Sequence, residues 1–166
     1  DGLTERDYWH RRAAQIGELA GRELSLREYM AIVYSPPSDD LIRPEAAAVT
    51  KAALAAGYGV SALTNDLRAF HGPEWHTKIG FFGLLDHLAD CSDTDILKPD
   101  QRAYQRVVDI VGVAAERMLF VDDQPLNIEG AEEFGMQVHW FDVANATRSW
   151  QDVADRLNLS IQLGAR

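Results

Sequence analysis

At 166 residues the chain holds material for one hydrophobic core and hardly for two. An apolar fraction of 46% and a charged fraction of 25% are those of an ordinary globular protein, while a net charge of -10 without any Lys/Arg run sets nucleic acid and anionic membrane surfaces aside as partners. A single cysteine, Cys91, closes no internal disulfide, no apolar stretch approaches the roughly 20 residues of a membrane span, and no signal peptide is visible, so the cytoplasm is the expected location.

In chain order, residues 1–34 read as two helices. Thr4 with Asp7 forms a capping box, with Leu3 and Tyr8 at the staple positions, and Trp9, Ala13 and Ile16 mark a buried stripe that ends at Gly17 or Gly21. Ser25 with Glu28 repeats the device, with Leu24 and Tyr29 as staple and Leu26, Tyr29, Met30 and Val33 as the stripe. These helices carry Arg11, Arg12 and Arg27 but no chemistry of their own, and Tyr8 and Trp9 are read as packing residues, with lining a substrate pocket as the lesser alternative. Residues 35–44, rich in proline and polar side chains, break both periodicities and form a linker.

Beyond the linker the pattern becomes regular β/α alternation. Pro44 opens an alanine-rich helix that stops at Gly57, and an apolar strand from Val60 to Leu63 ends at Thr64 and Asn65. A less regular segment, punctuated by Gly72-Pro73 and Gly80, leads to a short strand at residues 87–91. Lys98 precedes Pro99, read as the first residue of a helix whose buried face is Ala103, Val107, Ile110 and Val111 and whose end is Gly112. The run from Met118 to Val121 then stops at the adjacent carboxylates Asp122 and Asp123, and Pro125 opens a helix closed by Gly135. A strand at residues 137–141 and an amphipathic helix through Trp150, Val153, Ala154 and Leu157 complete the chain. Strands separated by helical crossovers predict a parallel sheet with helices on both faces.

Three strand ends in this scheme carry polar residues: Thr64-Asn65, Lys98 and Asp122-Asp123. Each is weak alone; the lesser alternative for the acidic pair is a helix cap at Asp123 with Asp122 in solvent. Together they suit phosphoryl chemistry, in which carboxylates hold Mg²⁺, a hydroxyl and backbone N–H groups bind phosphate oxygens, and a lysine neutralises the charge that develops on transfer.

The wording around these residues, SALTND at Thr64, LKPDQRAY at Lys98 and FVDDQPLNIEGAEEFGM at Asp122-Asp123, resembles three of the motifs of the haloacid dehalogenase-like (HAD) hydrolases over residues 43–142. Within that family it is most similar to the phosphatases with a small helical cap, such as sugar-phosphate phosphatases and the phosphatase domain of soluble epoxide hydrolase. The resemblance implies a Rossmannoid three-layer α/β/α core at residues 45–166, a partial helical cap at residues 1–34 and a hinge linker at residues 35–44. It implies Mg²⁺ on Asp122, assisted by Asp123, and Thr64, Asn65 and Lys98 on the phosphate, with Thr64 and Lys98 in catalytic roles. The substrate would be a small phosphorylated metabolite, attacked through an aspartyl-phosphate intermediate.

The family's first motif, an apolar strand ending in Asp-x-Asp-Gly that supplies this nucleophile, has no counterpart; Asp1-Gly2 is not its tail, because no apolar strand precedes it. By the resemblance that strand lies mid-sheet, between those ending at Thr64 and Asp122. Its absence is expected to leave two edges unpaired, to leave the 166 residues inactive by themselves, and to make the chain a fragment of a longer protein. The alternatives are a 2-haloacid dehalogenase, which has no use for the second carboxylate, and a non-catalytic pseudoenzyme or scaffold. A phospho-acceptor receiver domain carries its acidic pair early and its lysine last, the reverse of the order here. The histidines His10, His71, His76, His87 and His139 have no metal-ligand spacing, and His71 and His76 are expected as exposed loop residues, the lesser alternative being a loop that faces the site entrance.

Overall fold

The computed structural model describes residues 4–164. The Leu3 side of the first staple and the Asp1-Gly2 dipeptide lie outside them. Helix α1 (Glu5–Leu19) starts at the Thr4/Asp7 capping box and α2 (Leu26–Val33) at the Ser25/Glu28 box, as the sequence predicts. Gly17 does not end α1. It is buried inside the helix, where an added Cβ would lie 2.7 Å from the carbonyl oxygen of Arg22, so glycine lets the returning chain pass close by. Leu26 and Met30 of α2 pack on Phe70 of α4 (Leu67–His71), with Trp9, Tyr29 and Tyr34 around them. Val33 was expected on that stripe and is exposed, because the helix ends there and has no neighbour to cover it.

The remaining elements alternate: α3 (Pro44–Ala55), β1 (Ser61–Thr64), β2 (His87–Asp90), α5 (Gln101–Val111), β3 (Leu119–Asp122), α6 (Pro125–Glu133), β4 (Gln137–Trp140) and α7 (Ala146–Arg156). Both predicted strand pairs are parallel, β1 with β2 (Thr64 opposite Asp90) and β3 with β4 (Asp122 opposite Trp140). The strands form two separate pairs, and the second edges of β1 and β3 carry no strand partner among the described residues, the two unpaired edges expected where the family's first strand is absent.

Two apolar layers span both pairs. On one face Val49 and Ala53 of α3 and Val153 and Ala154 of α7 pack against Val60, Leu119 and Val121. On the other, Tyr104 and Val107 of α5 and Ala131 of α6 pack against Leu63 and Phe120. Successive residues of β3 thus feed opposite layers, the period-two pattern of a strand buried on both sides. This is a three-layer α/β/α arrangement, and all four strands end at polar or amphipathic residues on the same edge. Two details depart from the sequence reading. Helix α5 begins at Gln101 with Asp100 as its capping residue, leaving Lys98 and Pro99 in the preceding turn. Ile110 is exposed, and beside the expected Ala103 the helix fully buries Tyr104, which a purely aliphatic stripe overlooks.

Candidate active site

The carboxyl ends of β1 and β3 converge on a cavity of about 220 Å³ lined by Thr64, Asn65, Lys98, Asp122 and Asp123. Every residue singled out from the sequence for chemistry is therefore on one wall, as expected for ligand sites beyond strand ends of an open α/β sheet. A larger hollow of about 530 Å³ lies beside the turn between α1 and α2 and contains none of these residues.

Asp122 is the centre of the arrangement. Its Oδ2 accepts from Lys98 Nζ at 2.7 Å, and the two side chains are 8% and 10% exposed. Its Oδ1 accepts from the Gln124 backbone N–H at 2.9 Å and from Asn127 Nδ2 at 3.0 Å. A buried ion pair is tolerable only with such extra hydrogen bonds, and here both partners have them or their equivalent. Lys98 Nζ also sits 5.4 Å from the Phe120 ring centroid. Asn65 braces the lysine from the β1 side: its Oδ1 accepts from the Lys98 N–H at 2.8 Å and its Nδ2 donates to the Lys98 carbonyl at 3.3 Å. Much of the Asn65 amide is thus committed to holding Lys98.

A second layer holds these groups in place. The buried Tyr104 hydroxyl donates to the Asn127 carbonyl at 2.8 Å, and burial, with the charge of Asp122 second, pushes its pKa well above the usual phenol range. At Gly130 an added Cβ would lie 2.9 Å from both Cβ and O of Pro99, so the absence of a side chain lets α6 press against the turn that carries Lys98.

Asp123 behaves differently. It is exposed, its carboxylate makes no hydrogen bond or ion pair among the described residues, and only its carbonyl is used, by Trp140 Nε1 at 3.0 Å. It does not cap α6, whose capping residue is Gln124 with no side-chain bond. Asp122 is likewise not the solvated member of the pair. The two carboxylates offer the hard oxygen donors that Mg²⁺ takes alongside water and substrate oxygens, so they fit that ion in kind. No group of three or more acidic, histidine or cysteine side chains able to hold a metal occurs among the described residues.

The sequence reading missed Glu5, Asp66, Phe70, His71, Gln124 and Asn127 as lining residues. Gln124 and Asn127 lie inside the quoted motif, and Asp66 follows Thr64-Asn65 directly, so their neighbourhood was a usable signal. Glu5 gave none: it is 119 residues from Gln124, the residue it meets. His71 and His76 are not exposed loop residues. His71 ends α4, stacks on Trp75 at 4.1 Å and meets Tyr34 edge-on at 5.1 Å, because the aromatic residues of this irregular segment fold onto one another. Burial holds its imidazole pKa below the ordinary value. His76 lies edge-on to Phe82, its Nδ1 buried without a hydrogen-bond partner. Trp9 packs near Tyr29 as expected, and neither Arg11 nor Arg12 lines the cavity.

Comparison with known proteins gives the same picture at the scale of the chain. The family model for the haloacid dehalogenase-like hydrolases matches residues 2–135. The chain is 28% identical over 137 residues to Phosphatase MT3486 of Mycobacterium tuberculosis (strain CDC 1551 / Oshkosh), covering 82% of this chain and 60% of that protein. It is 34% identical over 61 residues to Haloacetate dehalogenase H-2 of Moraxella sp. (strain B), covering 37% of this chain and 27% of that protein. The chain therefore spans 60% of the length of the first of these curated relatives and 27% of the second. Among solved structures, a HAD phosphatase from Thermococcus onnurineus superposes with a TM-score of 0.62 at 16% identity, over 86% of this chain and 69% of that one. The L-2-haloacid dehalogenase RSc1362 superposes with a TM-score of 0.63 at 17% identity, over 87% and 68%; at such identities the likeness is one of fold. With the fold, the three motifs at one edge and a family model covering most of its length in agreement, the chain belongs to the haloacid dehalogenase-like hydrolases.

Proposed function

We propose that the protein containing this chain is a Mg²⁺-dependent phosphatase of a small phosphorylated metabolite. The observation that carries the reading is Asp123, a cavity-lining carboxylate with no partner among the described residues, beside an Asp122 that already has three donors. A carboxylate left open next to a neutralised one is disposed to take a cation. Asp122 and Asp123 would hold the Mg²⁺, which when bound supplies positive charge to the phosphoryl oxygens. Thr64, which lines the same cavity, donates its hydroxyl to a phosphate oxygen. Lys98, oriented by Asn65 and Asp122, offers its ammonium to the charge that develops on transfer. Residues 1–34 serve as a cap over the site and residues 35–44 as its hinge. The nucleophilic aspartate implied by the family resemblance is not among these residues, so the decisive assays use the full-length protein.

The test is phosphate release from p-nitrophenyl phosphate. Turnover should require Mg²⁺, cease with EDTA and return on Mg²⁺ addition. Asp122→Ala and Lys98→Ala should each lower kcat/KM by about 10²-fold or more, the scale of losing an electrostatic catalytic group. A second reading, dehalogenation, is favoured by the self-contained Lys98–Asp122 pair, which needs no cation to stay neutral. Halide release from 2-chloropropionate that is indifferent to EDTA, with no phosphate released from any ester, would establish that reading in its place.

A further inference from the structure

The first turn of α1 straddles the cavity. Glu5 reaches the β3 side, where its Oε2 accepts from Gln124 Nε2 at 3.2 Å, and its Oε1 accepts from Trp9 Nε1 at 3.3 Å. Arg6 reaches the β1 side and places both Nε and Nη2 on Oδ1 of the buried Asp66. Glu5 is thus a carboxylate held from two directions at the cavity wall, with lone pairs left over on both oxygens.

Charge on that wall is one-sided. Glu5, Asp66, Asp122 and Asp123 line the space; Lys98 is the one Lys or Arg among the described lining residues and is paired with Asp122, and the Mg²⁺ of the phosphatase reading would be taken up by Asp122, Asp123 and the phosphoryl oxygens. The nearby Arg6 guanidinium is committed to Asp66. A phosphoryl group placed at Thr64 and Lys98 uses the available positive charge, so a second anion on the leaving group would meet Glu5 with no uncommitted cation among the described lining residues. Hydrogen-bonding capacity points the same way. Asp66 is 5% exposed and its Oδ2 is buried with no partner, a costly state that a donor on a ligand would relieve.

Resting on the phosphatase reading, we propose that Glu5 is a specificity-determining residue, restricting the substrate to phosphate monoesters whose leaving group carries hydroxyl or ammonium donors and no second negative charge. Glu5 contacts the leaving group, and Asp66 accepts a further donor from it.

The experiment measures kcat/KM of the full-length protein on phosphoethanolamine, glycerol 1-phosphate and phosphoglycolate, before and after Glu5→Gln and Glu5→Lys. The wild type should favour the first two over phosphoglycolate by at least about tenfold, the scale of one like-charge contact near a protein surface. Glu5→Gln should shrink the preference for phosphoethanolamine over phosphoglycolate by about tenfold, more through KM than kcat, and Glu5→Lys should invert it. Phosphate release from all three esters with ratios unmoved by either substitution overturns this inference while leaving the phosphatase reading standing. Preference for phosphoglycolate in the wild type overturns it likewise. Absence of phosphate release from every ester defeats the phosphatase reading and this inference with it.

Discussion

Asp122 and Asp123 are neighbours in sequence with opposite physical situations, and their substitutions should separate accordingly. Asp122 is buried with Lys98, so Lys98→Ala strands a charge in low dielectric and should cost about 3–5 kcal/mol of stability besides activity. Asp123 is exposed and its carboxylate makes no bond among the described residues, so Asp123→Asn should leave stability within about 0.5 kcal/mol while Mg²⁺-dependent turnover collapses. Urea denaturation of both variants, paired with phosphate-release assays, checks the contrast. An Asp123→Asn protein with wild-type turnover would remove Asp123 from the metal site.

At the scale of elements, the site depends on α6 lying close to the turn before α5. Gly130 permits that approach, and Gln101 Nε2 donates to its carbonyl at 3.0 Å. Gly130→Ala would place a methyl group against Pro99 backbone and side chain and within 3.0 Å of the Tyr104 hydroxyl. The expected loss is about 1–3 kcal/mol, as for overpacking elsewhere, with a displaced Lys98. Thermal unfolding reads the first effect and the kcat of the full-length protein the second. A Gly130→Ala variant as stable and active as the wild type would show that this contact does not position the lysine.

Across the whole molecule, two histidines titrate below their ordinary value because burial disfavours the imidazolium: His71 beside the site and His139 on β4. In each case the unfolded chain binds the proton first. The stability that depends on the neutral form is therefore complete above about pH 6.5 and is drawn down as pH falls from there through the lower folded values. The Tm should decline between pH 7.5 and 5.5, and the His71→Gln, His139→Gln double variant should show a flatter profile. An equally steep profile in that variant would assign the acid response to other groups. The two strand pairs are joined through the apolar layers and the Asn65–Lys98–Asp122 links, so loosening one half is expected to loosen the other.

Local signals carried much of this protein. Both capping boxes, the glycine stop after α5 and the strands ending at Thr64 and Asp122 follow from spacing and side-chain type, which act over a few residues, while the grouping of Thr64, Lys98 and the acidic pair was legible through the motif resemblance. The fate of each group depended on neighbours far along the chain. Whether Asp122 or Asp123 is the buried member, that Asn65 serves Lys98, that His71 turns inward onto Trp75, and that Glu5 reaches Gln124 are outcomes of packing between residues 4 to 119 positions apart. Propensity and periodicity describe one element at a time. Burial, pairing and charge balance are properties of the assembled cavity, and only the tertiary structure decides them.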